Sequence, residues 1–324
     1  MNILNAKYKI LLAQPRGFCA GVERAIEIVE KALEIHGAPV YVRHEIVHNK
    51  RVVETLRKKG AVFVNEIEEI PDKGMTIFSA HGIAEVIENE ARNRKLPVID
   101  ATCPLVSKVH REGQNHSKNE RSVILIGHAG HPEVEGTMGR IPGAVYLVTN
   151  VEDVKNLILL DENKVAYVSQ TTLSVDDTRE IIEALKTRFP NIVGPDVRDI
   201  CYATQNRQQA IHQIVNDIDI LLVVGAQNSS NSNRLKEIGS ERNIPSYLID
   251  DAQALNPIWL EGAKTIGISA GASAPEELVK ELLDYIRSFA EVELELVSGV
   301  EENIQFKLPS ELIDRECKNN EIRT

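Results

Sequence analysis

Aromatic residues are scarce: they make up 4% of the 324 residues, with a single Trp. The cores must therefore be filled by Ile, Val, Leu and Ala. Only four cysteines occur, Cys19, Cys103, Cys201 and Cys317, widely spaced and with no CxxC pair. That excludes a disulfide-stapled framework and leaves reduced thiols for metal binding or chemistry. Positive charge is in deficit, with 37 Lys and Arg against 48 Asp and Glu and a formal net charge of −11. Nucleic acid and anionic membrane surfaces both call for a basic face, so both are disfavoured as partners. An anionic small molecule stays open if local donors such as His, Ser, Asn and helix N-termini hold it. No apolar run approaches the ~20 residues that span a bilayer. The start, Met1 to Lys7, has no secretory core or cleavage site, which predicts a cytoplasmic protein. Neither GxxxxGK[ST] nor a strand-linked GxGxxG is present, so nucleotide binding is not indicated.

What the chain does contain is a plan stated three times. Cys19 follows the apolar run Tyr8 to Leu12 and opens a helical pattern from Val22 to Ile35. Cys103 follows Val98-Ile99-Asp100-Ala101-Thr102, and Cys201 follows Asp199-Ile200; each again opens a helical pattern. Polar clusters trail the cysteines at a near-constant distance, at His48, His131 and Ser229. A second set follows at His81, Thr171 and Ser273. This reads as a diverged threefold repeat, each copy being one supersecondary unit.

The units are expected at 1–98, 99–191 and 192–290, with 291–324 as an edge hairpin or tail. Strands are expected near Lys9–Ala13, Val40–Val42, Val62–Val64, Thr76–Phe78, Val123–Ile126, Val145–Val148, Val165–Val168, Ile218–Val224 and Thr265–Ile268. Helical spacing covers Arg51–Lys59, Leu105–Ser117, Val151–Leu160, Val175–Phe189, Thr204–Asn216 and Glu276–Phe289, with Pro275 expected at the first helical position. Alternating strands and helices with continuous apolar strands predict α/β architecture, three similar domains with parallel sheets, and the repeat lets three equivalent units point their cysteines and polar clusters at one central site in a pseudo-threefold arrangement. Ligands of such sheets sit beyond the carboxyl ends of the strands, where every polar cluster above falls.

Three cysteines in one register point to a joint role rather than to three separate buried thiols. Three thiolates suit Zn²⁺ with a fourth ligand or an iron–sulfur cluster, and spacing does not separate the two. His48, His81 and His131 are donors to an anion or metal ligands. Ser229, Ser230, Asn231 and Ser273 are poor ligands for soft metals but good donors to phosphate, and Ser229, Asn231 and Ser273 also read as helix caps. Glu133, in His131-Pro132-Glu133, is either a first-turn carboxylate on a helix dipole or a proton donor tuned by burial. Thr171 or Thr172 reads as a helix-entry cap or a relay. Cys317, in a polar tail, reads as an incidental thiol, and His36, His110, His116, His128 and His212 receive no role.

Pro15-Arg16-Gly17-Phe18-Cys19-Ala20-Gly21-Val22, His44-Glu45-Ile46-Val47-His48-Asn49, Asp100-Ala101-Thr102-Cys103-Pro104-Leu105-Val106, Gly130-His131-Pro132-Glu133-Val134-Glu135-Gly136-Thr137, Ile200-Cys201-Tyr202-Ala203-Thr204 and Ser229-Ser230-Asn231-Ser232-Asn233-Arg234-Leu235 stand in order along the chain. Together they resemble the LytB-type 4-hydroxy-3-methylbut-2-enyl diphosphate reductases, over about residues 8–310. Glu23, Ser107 and Ala129 depart from the residues frequent in that family, and none is a candidate ligand. The resemblance implies the last step of the non-mevalonate isoprenoid pathway: reductive loss of an allylic hydroxyl to give isopentenyl and dimethylallyl diphosphates. It implies a [4Fe-4S] cluster on Cys19, Cys103 and Cys201, and single electrons from ferredoxin or flavodoxin. It also implies diphosphate contacts from His48, His81, His131, Ser229, Ser230, Asn231 and Ser273, proton supply from Glu133, and a site role for Thr171. Two rivals stay open: a cluster-dependent hydro-lyase, which needs no electrons, and a non-enzymatic metal-binding sensor.

Overall fold

In chain order, the elements begin with β1 (Ala6–Ala13), α1 (Ala20–His36), β2 (Val40–Arg43), α2 (Lys50–Lys59), β3 (Ala61–Val64), β4 (Thr76–Phe78), α3 (Glu85–Asn93) and β5 (Val98–Asp100). They continue with α4 (Pro104–Lys118), β6 (Ser122–Ile126), α5 (Pro132–Arg140), β7 (Val145–Val148), α6 (Val151–Asn156), β8 (Val165–Ser169) and α7 (Val175–Arg188). The last are α8 (Tyr202–Ile214), β9 (Ile220–Val224), α9 (Ser230–Glu241), β10 (Ser246–Ile249), β11 (Thr265–Ala270), α10 (Glu276–Arg287) and β12 (Ala290–Val297). The computed structural model describes residues 6–313, and Cys317 lies outside them. The strands form three sheets, and every named pairing is parallel, as continuous apolar strands require.

The chain divides into two units. One holds residues 48–52 and 202–305 with the N-terminal segment through Ala20; the other holds 21–47 and 53–201 with the stretch from Phe306. The first unit carries a five-stranded sheet, β10-β9-β11-β1-β12. Ile10, Leu12, Ile220, Leu222, Ile266 and Ile268 face Leu278, Leu282 and Ile286 of α10. Leu11, Ala13, Leu221 and Val223 face Ile211 and Ile214 of α8 and Leu235 and Ile238 of α9. Both faces are covered, so each buried Leu or Ile contributes roughly 1.5–3 kcal/mol.

Two strands pair outside the interval that the sequence suggests for them. β1 pairs with β11 and β12, Lys9 opposite Thr265 and Ala6 opposite Ala290, so it belongs to the sheet built from the last third of the chain. β5 pairs with β4, Thr76 opposite Val98, and closes the sheet β3-β2-β4-β5 of the second unit. β12 is an edge strand parallel to β1 rather than an arm of a hairpin.

The second unit also carries the three-stranded sheet β7-β6-β8. Alternate residues of β6 split between its faces: Val123 and Leu125 pack with Val109 and Val134 of α4 and α5, and Ile124 and Ile126 with Val154 and Ile181 of α6 and α7. Helix α6 stops at Asn156 rather than running to Leu160. Ile158 and Leu160 lie in the exposed turn beyond it, 87% and 97% accessible, so their apolar spacing finds no face to bury. Pro275 is the N-cap of α10, one residue before the expected position.

Each sheet has a switch point, between β2 and β4, between β6 and β8, and between β9 and β11; in the five-stranded sheet β1 also interrupts the order between β11 and β12. Chain leaving the two strands there turns to opposite sides and opens a crevice at their carboxyl ends, the usual ligand position in open α/β sheets. His81 follows β4, His131 and Glu133 follow β6, Thr171 follows β8, Ser229 to Asn231 follow β9, and Ser273 follows β11.

Candidate functional site

In the second unit, His131 caps α5: its Nδ1 accepts the N–H of Glu133 at 3.1 Å, and Pro132 takes the first helical position. The cap turns the Glu133 side chain inward, where 3% of the residue remains exposed. There Thr171 donates twice, from its N–H to Oε1 at 2.6 Å and from its Oγ1 to Oε2 at 3.0 Å. The His81 and His131 rings meet edge to face with centroids 5.9 Å apart, and Ser79 Oγ lies 3.3 Å from His81 Nδ1. Two cysteines are fixed to the same loops by their backbones. Cys103 N–H donates to Ala80 O at 3.0 Å, and Cys201 N–H donates to Thr171 O at 2.9 Å.

Burial raises the Glu133 carboxyl from its ordinary 4.5 to about 7. The two Thr171 donors oppose the rise, and the Asp199 carboxylate adds to it. A carboxylic acid poised near neutrality can store a proton and release it, the requirement for a general acid.

In the first unit, Cys19 N–H donates to Ala272 O and Gly17 N–H to Ala270 O, both at 3.2 Å, which ties the cysteine loop to the end of β11. Asn231 Oδ1 accepts Ala272 N–H at 2.9 Å, and Ser273 Oγ donates to His48 O at 2.9 Å. Ser229 caps α9 through Oγ, which accepts Ser232 N–H at 3.3 Å. Gly225 and Gly271 let the chain close on Ser232, since a Cβ on either would lie about 2 Å from its Oγ. Cys19, His48, Ser229, Asn231 and Ser273 are thereby linked within one unit, with Ser230 in the first turn of α9. Ser229 acts as a cap, as one of its two sequence readings expects. Asn231 and Ser273 instead bond across loops.

The LytB protein family matches residues 10–287. The chain belongs to that family. It is 62% identical over 303 residues to 4-hydroxy-3-methylbut-2-enyl diphosphate reductase 1 of Rhodopseudomonas palustris, covering 94% of this chain and 99% of the relative. It is 57% identical over 311 residues to the 4-hydroxy-3-methylbut-2-enyl diphosphate reductase of Zymomonas mobilis, covering 96% of this chain and 92% of the relative. Among solved structures it is similar to the E-1-hydroxy-2-methyl-but-2-enyl-4-diphosphate reductase from Plasmodium falciparum, with 38% identity, a TM-score of 0.90 and coverage of 98% and 99% of the two chains.

The donor chemistry of this LytB chain fits an iron–sulfur group. Cys19, Cys103 and Cys201 are each partly buried and each directly precede a helix, α1, α4 and α8. The positive end of a helix dipole lowers a thiol pKa and favours the thiolate that soft metals take. Among the described residues no three His, Cys, Asp or Glu side chains are gathered for a single metal ion. The fit therefore rests on the three thiols and their helix N-termini.

Several engaged residues of this LytB chain escape sequence reasoning. Asp199 is buried, accepts Ser169 N–H at 3.1 Å and lies 3.2 Å from Lys108 Nζ; burial and the Glu112 carboxyl push it upward. His110, assigned no role from sequence, is buried against Gly82, beside His81, and burial lowers it to about 4. The only sequence signal for Asp199 is its place two residues before Cys201, as Asp100 stands three residues before Cys103.

The Glu133 shift makes a stability prediction. The folded chain keeps this proton up to about pH 7, and the unfolded chain releases it near 4.5. The folded value is raised, so the contribution to stability is complete below pH 4.5 and is lost as pH climbs through 7. Glu133→Gln carries no such dependence. Its stability relative to the parent, measured by urea denaturation, is expected to improve by about 3 kcal/mol between the acid and alkaline ends of that window. A pH-independent difference would show that Glu133 holds no extra proton in the folded chain.

Proposed function

We propose that the chain reduces 4-hydroxy-3-methylbut-2-enyl diphosphate to isopentenyl and dimethylallyl diphosphates, the last step of the non-mevalonate pathway. The observation that carries this is Glu133: a buried acid near neutral pH in the first turn of α5, locked by two Thr171 donors on a helix that His131 caps. The relatives' names supply the substrate.

Replacing an allylic C–O bond with C–H takes two electrons and two protons and releases water. Hydroxide leaves poorly, so a proton on the departing oxygen lowers the barrier. Glu133 supplies it, and Thr171 holds the carboxyl in place before and after the transfer. Cys19, Cys103 and Cys201 would hold a [4Fe-4S] cluster, which would supply single electrons and Lewis acidity. The diphosphate is held by His48, His81, His131, Ser229, Ser230, Asn231 and Ser273. Hydroxyl, amide and imidazole donors suit a chain of net charge −11, which offers no general attraction to an anion. Diphosphate binding anchors the substrate away from the reacting carbon and orients it. Ferredoxin or flavodoxin delivers the electrons in the cytoplasm, and no helix among the described residues is long and apolar enough to cross a membrane.

The test is anaerobic purification, iron and sulfide analysis, and turnover of the allylic diphosphate with a reduced one-electron donor. Iron, sulfide and two electrons consumed per product are expected. Water loss without electron consumption would make the chain a hydro-lyase, and zinc without sulfide would leave a metal-binding protein of another kind.

A further inference from the structure

Arg207, on α8, heads the fully buried side chains by volume, with 0% exposure. A guanidinium in that position is tolerated only if its donors all find acceptors. Nε donates to Gly17 O at 3.1 Å, and Nη2 donates to Gly17 O at 2.7 Å and Phe18 O at 3.1 Å. Nη1 donates to Ala203 O at 3.0 Å. Glu302 closes the fork, its Oε1 taking Nη1 at 2.9 Å and its Oε2 taking Nη2 at 3.2 Å, while Asn206 Nδ2 donates to Oε1 at 2.9 Å.

Gly17 and Phe18 immediately precede Cys19. Their carbonyls go to Arg207, whereas the amides of Gly17 and Cys19 go to the end of β11. Glu302 comes from residues 298–305, which follow β12 without helix or strand and are largely exposed. The same stretch meets the loop again at Gly299, where a Cβ would lie 1.8 Å from Gln14 O. Gly299 at one end and Glu302, through Arg207, at the other thus bracket Gln14 to Phe18.

We propose that residues 298–305 latch the Gln14–Cys19 loop, with Arg207 and Glu302 as positioning residues that hold the Cys19 thiol in its ligating place. This rests on Cys19 being a cluster ligand. A buried ion pair is weak evidence for stability, since apolar replacements of similar volume are often neutral. A planar fork aimed at two successive carbonyls fixes geometry, which a single ammonium cannot do.

Three full-length variants test it: Glu302→Gln, which keeps a neutral acceptor; Gly299→Ala, which lifts the stretch without touching the ion pair; and Arg207→Lys. The first reading is the alkylation rate of each thiol after metal removal by chelation. Cys19 is expected to react about tenfold faster in all three, with Cys103 and Cys201 unchanged. The second is iron release from the loaded protein to a chelator, expected to rise about tenfold or more, with an altered EPR signal. An unchanged Cys19 rate, or three thiols rising together, would overturn the latch. A faster Cys19 with unchanged iron release would uphold the latch and overturn Cys19 as a ligand.

Discussion

Glu133→Gln is expected to lower kcat by about 10²–10⁴-fold while iron content and substrate affinity stay near parental values. The substitution is close to isosteric. The amide oxygen can still accept the Thr171 N–H now held at 2.6 Å, and Thr171 Oγ1, a donor to the carboxylate, can instead accept from the amide nitrogen. The fold around α5 therefore has no reason to move, and His131 continues to cap the helix through the Glu133 N–H, which the change leaves intact. What disappears is the proton. The effect should consequently fall on kcat and leave KM little changed, the pattern of an interaction made in the transition state alone. Raising proton concentration should not rescue the variant, because an amide cannot be protonated in this range. A kcat within a few-fold of the parent would remove Glu133 as the proton donor and leave its burial as a folding feature.

The carboxyl ends of the strands were legible in advance because local rules decide them. An apolar run of about four to seven residues that stops at a polar cluster reads as a strand running into a loop. His81, His131, Thr171, Ser229 and Ser273 all follow strands as that pattern requires. Strand partners were not legible. β1 reads the same whether it pairs with β2 or with β11, because both of its faces are apolar in either sheet and periodicity carries no register between distant segments. Short elements were lost for a related reason. β10 is only partly buried over most of its length, and α3 buries Ala91 almost alone, so neither shows a strong stripe. Arg207 and Glu302 were invisible for the opposite reason. An Arg on a helix and a Glu in a polar tail are normally solvated, and only the fold reveals that one is sealed and the other seals it. The site thus divides by physics: residues placed by local chain chemistry could be named beforehand, and residues placed by long-range packing could not.

Cys103→Ser is expected to abolish iron and sulfide binding and to lower activity by more than about 100-fold, beyond the loss that follows when only a ligand's supporting partner is removed. The position separates a ligand from a structural thiol unusually well. Cys103 is the N-cap of α4, with φ −57° and ψ 133°, and makes no side-chain capping bond. Serine is among the preferred N-cap residues, so at this position it should keep or slightly raise helix stability. Its backbone N–H can still reach Ala80 O, and its carbonyl can still accept Ser107 N–H. The denaturation midpoint of the metal-free chain should therefore match or exceed the parent's, while the soft sulfur donor is gone and a hard hydroxyl stands in its place. If the cysteine were merely packed, the variant would keep its metal and its activity. If it served the fold, the midpoint would fall. Only a ligand predicts the observable combination of a sound helix and a chain that no longer holds iron and sulfide.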